Sequence, residues 1–274
     1  MTRIRPHSVP HLVPHGPELA LSRLGLRYPQ RGSEAEVVAL RDITASFPAG
    51  SFTALVGPSG CGKSSLLRLL AGLLSPTDGE MSAVTQSDIG FVFQEPTLLA
   101  WRSVYENVAL PLKIANRKLG LSAQEIDTRV SEALALVGLD ARAKALPREL
   151  SGGMKMRVSL ARALAKRPPI LLMDEPFAAL DELTRFRLDD DLRAIWQQQK
   201  PTIIFVTHSV TEAAYLAERA LVMRAGTLHA EIKIERPKEE RPENDADNFR
   251  AAPNFHAACA AISEALAEPS GRAS

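Results

Sequence analysis

The residues best suited to chemistry are Gly57, Gly62, Lys63 and Ser64, which fill the pattern G-x-x-x-x-G-K-[ST] within the run GPSGCGKS. Glycines let a backbone curl until successive N–H groups point inward at anionic oxygens. A helix starting directly after such a loop adds the positive end of its dipole. The lysine reaches terminal phosphates, and the hydroxyl beside it suits a hard divalent cation. The chemistry implied is phosphate binding, with Pro58, Ser59, Gly60, Cys61 and Ser65 completing the loop and the first helical turn. With glycine at about 7% of residues, chance would produce the four fixed positions in roughly one chain in a hundred of this size. The setting makes chance a poor explanation. SFTALV before the loop is a short apolar run, as in a buried strand, and SSLLRLLAGLL after it reads as a helix.

Asp174 and Glu175 form a second chemical pair, placed after Ile170, Leu171, Leu172 and Met173. Four apolar residues and then two acids suit a core strand that ends at the crevice where open α/β sheets bind ligands. Asp174 is expected to hold a Mg²⁺ shell. Side chains alternate along a strand, so Glu175 is expected to point differently and to orient an attacking water. A third feature is Leu150-Ser151-Gly152-Gly153, which opens the helix MKMRVSLARALAKR. It offers a hydroxyl and open N–H groups to an anion, or simply an N-cap with a flexible lead-in.

Other elements must position these groups. Leu19, Leu21, Leu24 and Leu26 lead to Tyr28, VVALRDITASF follows a polar loop, and Pro48-Ala49-Gly50 is a turn; residues 18 to 56 read as strands. Gly79-Glu80 starts a further strand region, and IGFVFQ reads as another. From about Pro96 to Lys166 the pattern is helical; Ser122 with Glu125 marks a capping box and Gly138 a helix end. A helix stop is expected at Pro168-Pro169. ELTRFRLDDDLRAIWQQQ reads as amphipathic with Leu183, Phe186, Leu192 and Ile195 on one side. TIIFVTH and ALVM read as strands around the helix TEAAYLAER. Strands alternating with helices imply a mostly parallel sheet covered on both faces, with residues 96 to 166 as a helical insertion.

Composition narrows the function classes. The 274 residues are 45% hydrophobic and 24% charged with net charge +1, so no strong basic field points to nucleic acid. Cys61 and Cys259 are the two cysteines, in no metal-ligand spacing, and Cys259 is expected to be an inert thiol. No run approaches the roughly 20 apolar residues that span a bilayer, and the first seventeen residues lack a signal's apolar stretch, so the chain is expected in the cytosol with any membrane role through a partner. Those seventeen residues repeat Pro6-His7, Pro10-His11 and Pro14-His15 and read as a disordered arm, with metal binding by the histidines as the alternative. ERPKEERPENDADNFR reads as a solvated linker, with a short helix near 252 to 267 after it.

In this order and spacing the motifs resemble the ATP-binding-cassette ATPases over roughly residues 18 to 232: the phosphate loop, Gln94 in VFQE, LSGG, ILLMDEP, Ala179-Leu180-Asp181, and His208 in FVTHS. The resemblance implies a P-loop α/β core with a mostly parallel sheet, an antiparallel β subdomain and an inserted α-helical subdomain. It implies ATP and Mg²⁺ as ligands and transport-coupled hydrolysis as the activity. Tyr28 would stack on adenine, with a core aromatic as the alternative. Ser64, Gln94 and Asp174 would serve the metal, and Gln94 would also sense the attacking water. Asp181 would contact the facing subunit and His208 the γ-phosphate, with polar strand-end caps as the alternative for Gln94 and His208. Ser151, Gly152 and Gly153 would close on ATP held by a second copy, so two ATPs would join a dimer. The family's commonest signature has Gln after the glycines, where this chain has Met154; methionine lacks the amide's hydrogen bonds.

The stretch from Glu95 to Val104, with Trp101, and Phe177 look like those of nitrate, sulfonate, taurine and bicarbonate importers. That implies a subunit at the cytoplasmic face of the membrane, bound to permease subunits and indirectly to a solute-binding protein. Trp101 is then either an apolar anchor on the permease or a residue packed within the helical insertion. A soluble ABC ATPase is the alternative, and a thiamine-precursor-like solute an alternative substrate class. Non-transport ABC ATPases usually carry a long coiled-coil insertion or two cassettes, and neither is visible here.

Overall fold

The structure is a computed structural model that describes residues 18–29, 36–236 and 249–267. The proline-histidine arm, the polar loop before Glu36 and most of the charged linker lie outside the described residues. Along the chain run β1 (Leu19–Pro29), β2 (Glu36–Phe47), β3 (Phe52–Val56), α1 (Lys63–Leu70), β4 (Asp78–Met81), β5 (Ile89–Val92), α2 (Val104–Leu119), α3 (Ala123–Leu136), α4 (Gly152–Leu164), β6 (Ile170–Asp174), α5 (Glu182–Gln199), β7 (Thr202–Val206), α6 (Val210–Leu216), β8 (Arg219–Arg224), β9 (Thr227–Lys233) and α7 (Pro253–Ala267). They form two compact units, one spanning 86–201 and the other the remaining described residues.

In the second of these units, β2, β1 and β4 form an antiparallel sheet. The buried leucines of β1 change parity, from Leu19 and Leu21 to Leu24 and Leu26. A strand can bury both sets on one face only through a bulge. The register shifts between Leu21 and Leu24, and Arg23 takes a left-handed φ of 47°. The other sheet places β3 between β7 and β8, parallel to both, with β9 antiparallel on β8. Every residue of β3 and β7 is buried, which is why both runs are unbroken stretches of apolar and Thr side chains. Ala225 and Gly226 both have positive φ, 42° and 80°, matching the twist of the β8–β9 hairpin they connect. The expected C-terminal helix is α7, whose Phe255, Ala258, Ile262 and Ala265 are buried and which packs on α6, β8 and β9. Cys259 is half-buried there, and burial pushes its thiol up, so it stays protonated at neutral pH.

The unit spanning 86–201 contains the parallel pair β5–β6 and helices α2 to α5. The Ser122 capping box is present: Ser122 Oγ accepts from the Glu125 N–H at 3.2 Å and the Ser122 N–H donates to Glu125 Oε2 at 2.7 Å. Gly138 follows α3 with φ 66°. One expectation fails on α5. Leu192 and Ile195 are buried, but Leu183 is 70% exposed and Phe186 only half-buried; the buried stripe is Leu188, Leu192, Ile195 and Trp196. Helical phase explains it. Leu183 stands nine residues before Leu192, about 900° of rotation at about 100° per residue, on the opposite side of the helix. Among the described residues, no helix is long and apolar enough to cross a membrane.

Candidate functional site

The phosphate loop joins β3 to α1 in a backbone path that only glycine fits at two points. A β-carbon on Gly57 would lie 2.4 Å from the Met223 carbonyl oxygen, and one on Gly62 would lie 2.7 Å from that of Ala39, at a φ of 103°. Gly62 caps α1 without any side-chain bond, so the first-turn N–H groups face outward from the helix end with no side-chain cap. Lys63 is buried and its Nζ bends back over the loop, donating to the carbonyls of Gly57 at 2.7 Å and Pro58 at 3.0 Å. Cys61 is buried beside it; burial raises its thiol pKa, against the pull of the Lys63 charge.

The register of the same unit brings two further residues toward this loop. Leu55 pairs with Val206, so Gly57 and His208, each two residues on, leave the same strand end. His208 is exposed, between buried Thr207 and the start of α6. The Thr207 hydroxyl donates to the carboxylate of buried Glu212, the Ser209 N–H donates to Thr207 Oγ1 at 2.9 Å, and the Glu212 N–H donates to Ser209 Oγ at 3.2 Å. Sequence reading missed this frame, although Ser209 and Glu212 have capping-box spacing. Tyr28 is half-buried, and its hydroxyl lies 3.3 Å from Ser65 Oγ in the first turn of α1.

In the other unit, Val92 of β5 pairs with Met173 of β6, so Gln94, Asp174 and Glu175 emerge at one strand end. β5 stops at Val92 rather than running on to Gln94, which is exposed in a bend. β6 ends at Asp174. Sequence predicts that strand alternation sets the direction of Glu175; instead it lies past the end of β6 with a strained, left-handed φ of 46°.

The N-termini of α4 and α5 carry the remaining candidates. Ser151 is the N-cap of α4; its Oγ accepts from the Met154 N–H at 3.3 Å, which leaves its own proton to donate elsewhere. Met154 takes part through its backbone. Asp181 caps α5, accepting from the Thr184 N–H at 2.9 Å, and that bond holds its carboxyl below the usual range.

Residues 40–178 match the family model described as ABC transporter. The chain belongs to the ABC transporter family. The taurine import ATP-binding protein TauB of Rhizobium johnstonii is 44% identical over 80% of this chain and 85% of its own length. The nitrate import ATP-binding protein NrtD of Synechocystis is 43% identical over 82% and 86%, and the aliphatic sulfonates import ATP-binding protein SsuB of Shigella sonnei 45% over 76% and 80%. Among solved structures, the dimeric bacterial ABC transporter cassette MJ0796 superposes with a TM-score of 0.71 at 31% identity, covering 80% of this chain and all of that one. The same cassette dimer in a post-hydrolysis state, bound to ADP and Pi, gives 0.70 at 32% identity, over the same 80% and 100%.

The ABC ATPase also displays Trp101, 75% exposed, so the packed alternative for it does not hold. Its loop is pinned from behind. Arg162 donates to the carbonyls of Pro96 at 2.8 Å and Thr97 at 2.9 Å. The fully buried Asn107 amide donates to the carbonyls of Leu99, Arg102 and Ser103 and accepts from the Leu99 N–H at 2.8 Å.

Proposed function

We propose that this ABC ATPase binds ATP with Mg²⁺ and couples its hydrolysis to import of a small anion of the nitrate, sulfonate or taurine kind. The observation that carries the ATP reading is the glycine-formed loop over which Lys63 lies, ahead of a helix with no side-chain cap. The import reading rests on the three relatives and on the displayed Trp101. The cassette is assigned to residues 18–232, with its helical subdomain at about 96–166 and the chain beyond as linker and C-terminal helix.

Lys63 and the loop N–H groups from Gly57 to Ser65 take the phosphates, and Tyr28 takes the base. The Ser64 hydroxyl, the Asp174 carboxylate and Gln94 would hold Mg²⁺, which accepts oxygen donors of these kinds. The ion supplies charge neutralisation at the phosphates. Glu175 accepts the proton of the attacking water, and His208 donates toward the γ-phosphate. Ser151, Gly152, Gly153 and Asp181 act on the nucleotide held by a second copy of the chain. The assembly sits on the cytoplasmic face of the membrane through permease subunits, one contact being Trp101, and is fed by a solute-binding protein.

The test is uptake of labelled taurine, nitrate and an alkanesulfonate by cells with the gene intact, deleted, or carrying Lys63→Ala. Loss of one uptake in both mutants supports the reading; unchanged uptake of all three removes the proposed solute class.

A further inference from the structure

Helices α4 and α5 are joined at two levels. Near their N-termini the approach is close enough to need glycine at one position: a β-carbon on Gly153 would lie 2.6 Å from Thr184 Cγ2 of α5. Deeper in, Arg157 bridges three helices. Its Nη1 donates to the carbonyl of Val137, the C-cap of α3, at 3.2 Å, and its Nη2 meets Asp191 Oδ2 of α5 at 2.6 Å. Both partners are a quarter exposed or less. Burial pushes the Asp191 carboxyl up to about 6, outweighing the pull of Arg157, with Asp190 adding to the rise. An ion pair whose burial costs this much adds little stability compared with apolar packing. The contact with Asp191 is a charge contact without hydrogen-bond geometry, and together with the bond to Val137 it ties three helices through one side chain.

The two helices so joined begin at the residues assigned to the second copy's nucleotide. Ser151 caps α4, six residues before Arg157, and Asp181 caps α5, ten residues before Asp191. We propose that Arg157 and Asp191 are positioning residues that hold Ser151 and Asp181 as one rigid frame for the facing chain. The proposal rests on the two-chain reading of the site.

The test uses full-length chain carrying Glu175→Gln, with two readouts: binding of a fluorescent ATP analogue to dilute monomer, and ATP-driven dimerisation by light scattering across chain concentration. Adding Arg157→Met is expected to weaken dimerisation about tenfold or more while nucleotide affinity stays within about twofold. Adding Arg157→Lys, which keeps the charge and loses the guanidinium, is expected to fall between, and it makes the same comparison if Arg157→Met does not fold. Dimerisation equal to the parent's overturns the positioning role. So does a parallel loss of monomer nucleotide affinity, which marks a general structural effect. If the Glu175→Gln parent itself stays monomeric with ATP, the two-chain reading falls and the positioning role with it.

Discussion

Asp191→Asn should change the pH dependence of stability in a calculable window. The side chain is 19% exposed, and it faces Arg157 of α4, with Asp190 next to it in sequence. Its carboxyl moves from an ordinary value of 3.8 in the unfolded chain to about 6 in the fold, with burial as the largest cause. Between those values the native state holds more proton than the unfolded state. This group's contribution is therefore fully present below about pH 4 and is lost as pH rises through 6. The rise corresponds to about 3 kcal/mol at about 1.4 kcal/mol per pH unit. Asparagine is nearly isosteric and does not titrate, so the difference between wild type and variant isolates the term. In matched urea unfolding from pH 3 to 8, the wild-type advantage should shrink by about 3 kcal/mol, most of it before pH 7. A difference that stays flat across this range would refute the claim that burial, rather than the Arg157 charge, governs Asp191.

Other outcomes follow from the same geometry. Glu212→Ala removes the acceptor of the Thr207 hydroxyl beside His208; kcat for ATP should fall roughly tenfold or more with nucleotide affinity nearly unchanged, and an effect confined to affinity would count against the frame. Gly62→Ala sets a β-carbon 2.7 Å from the Ala39 carbonyl at a left-handed φ; thermal unfolding should show a loss of about 1–3 kcal/mol together with weakened ATP binding. Trp101→Ala should leave the free chain's ATPase rate alone and weaken co-purification with its permease by about 2 kcal/mol, as for an exposed aromatic anchor; normal assembly would show that Trp101 faces solvent in the complex.

The phosphate loop was legible because its chemistry permits few residue types at fixed spacing, and β3 and β6 because the buried residues of core strands read as apolar runs. The capping box at Ser122 was legible for a similar reason: its bonds span three residues of one chain segment. The stripe on α5 was misread where apolar residues were counted without regard to helical phase, which put exposed Leu183 among the buried set. For the direction of Glu175 the sequence offers only strand alternation, and a left-handed φ at one residue leaves no pattern. Arg157 with Asp191 was invisible because its partners are 34 residues apart, and nothing local marks either as paired.

The most direct test of the central claim, that this chain cleaves ATP in a site shared by two copies, compares wild type with Glu175→Gln. Each is incubated with γ-labelled ATP and Mg²⁺, with phosphate release and particle mass followed together. The account predicts steady phosphate release by wild type, and for the variant almost none, with intact ATP retained in a particle of twice the chain's mass. Phosphate release by Glu175→Gln at the wild-type rate, from a particle that stays monomeric, would contradict it.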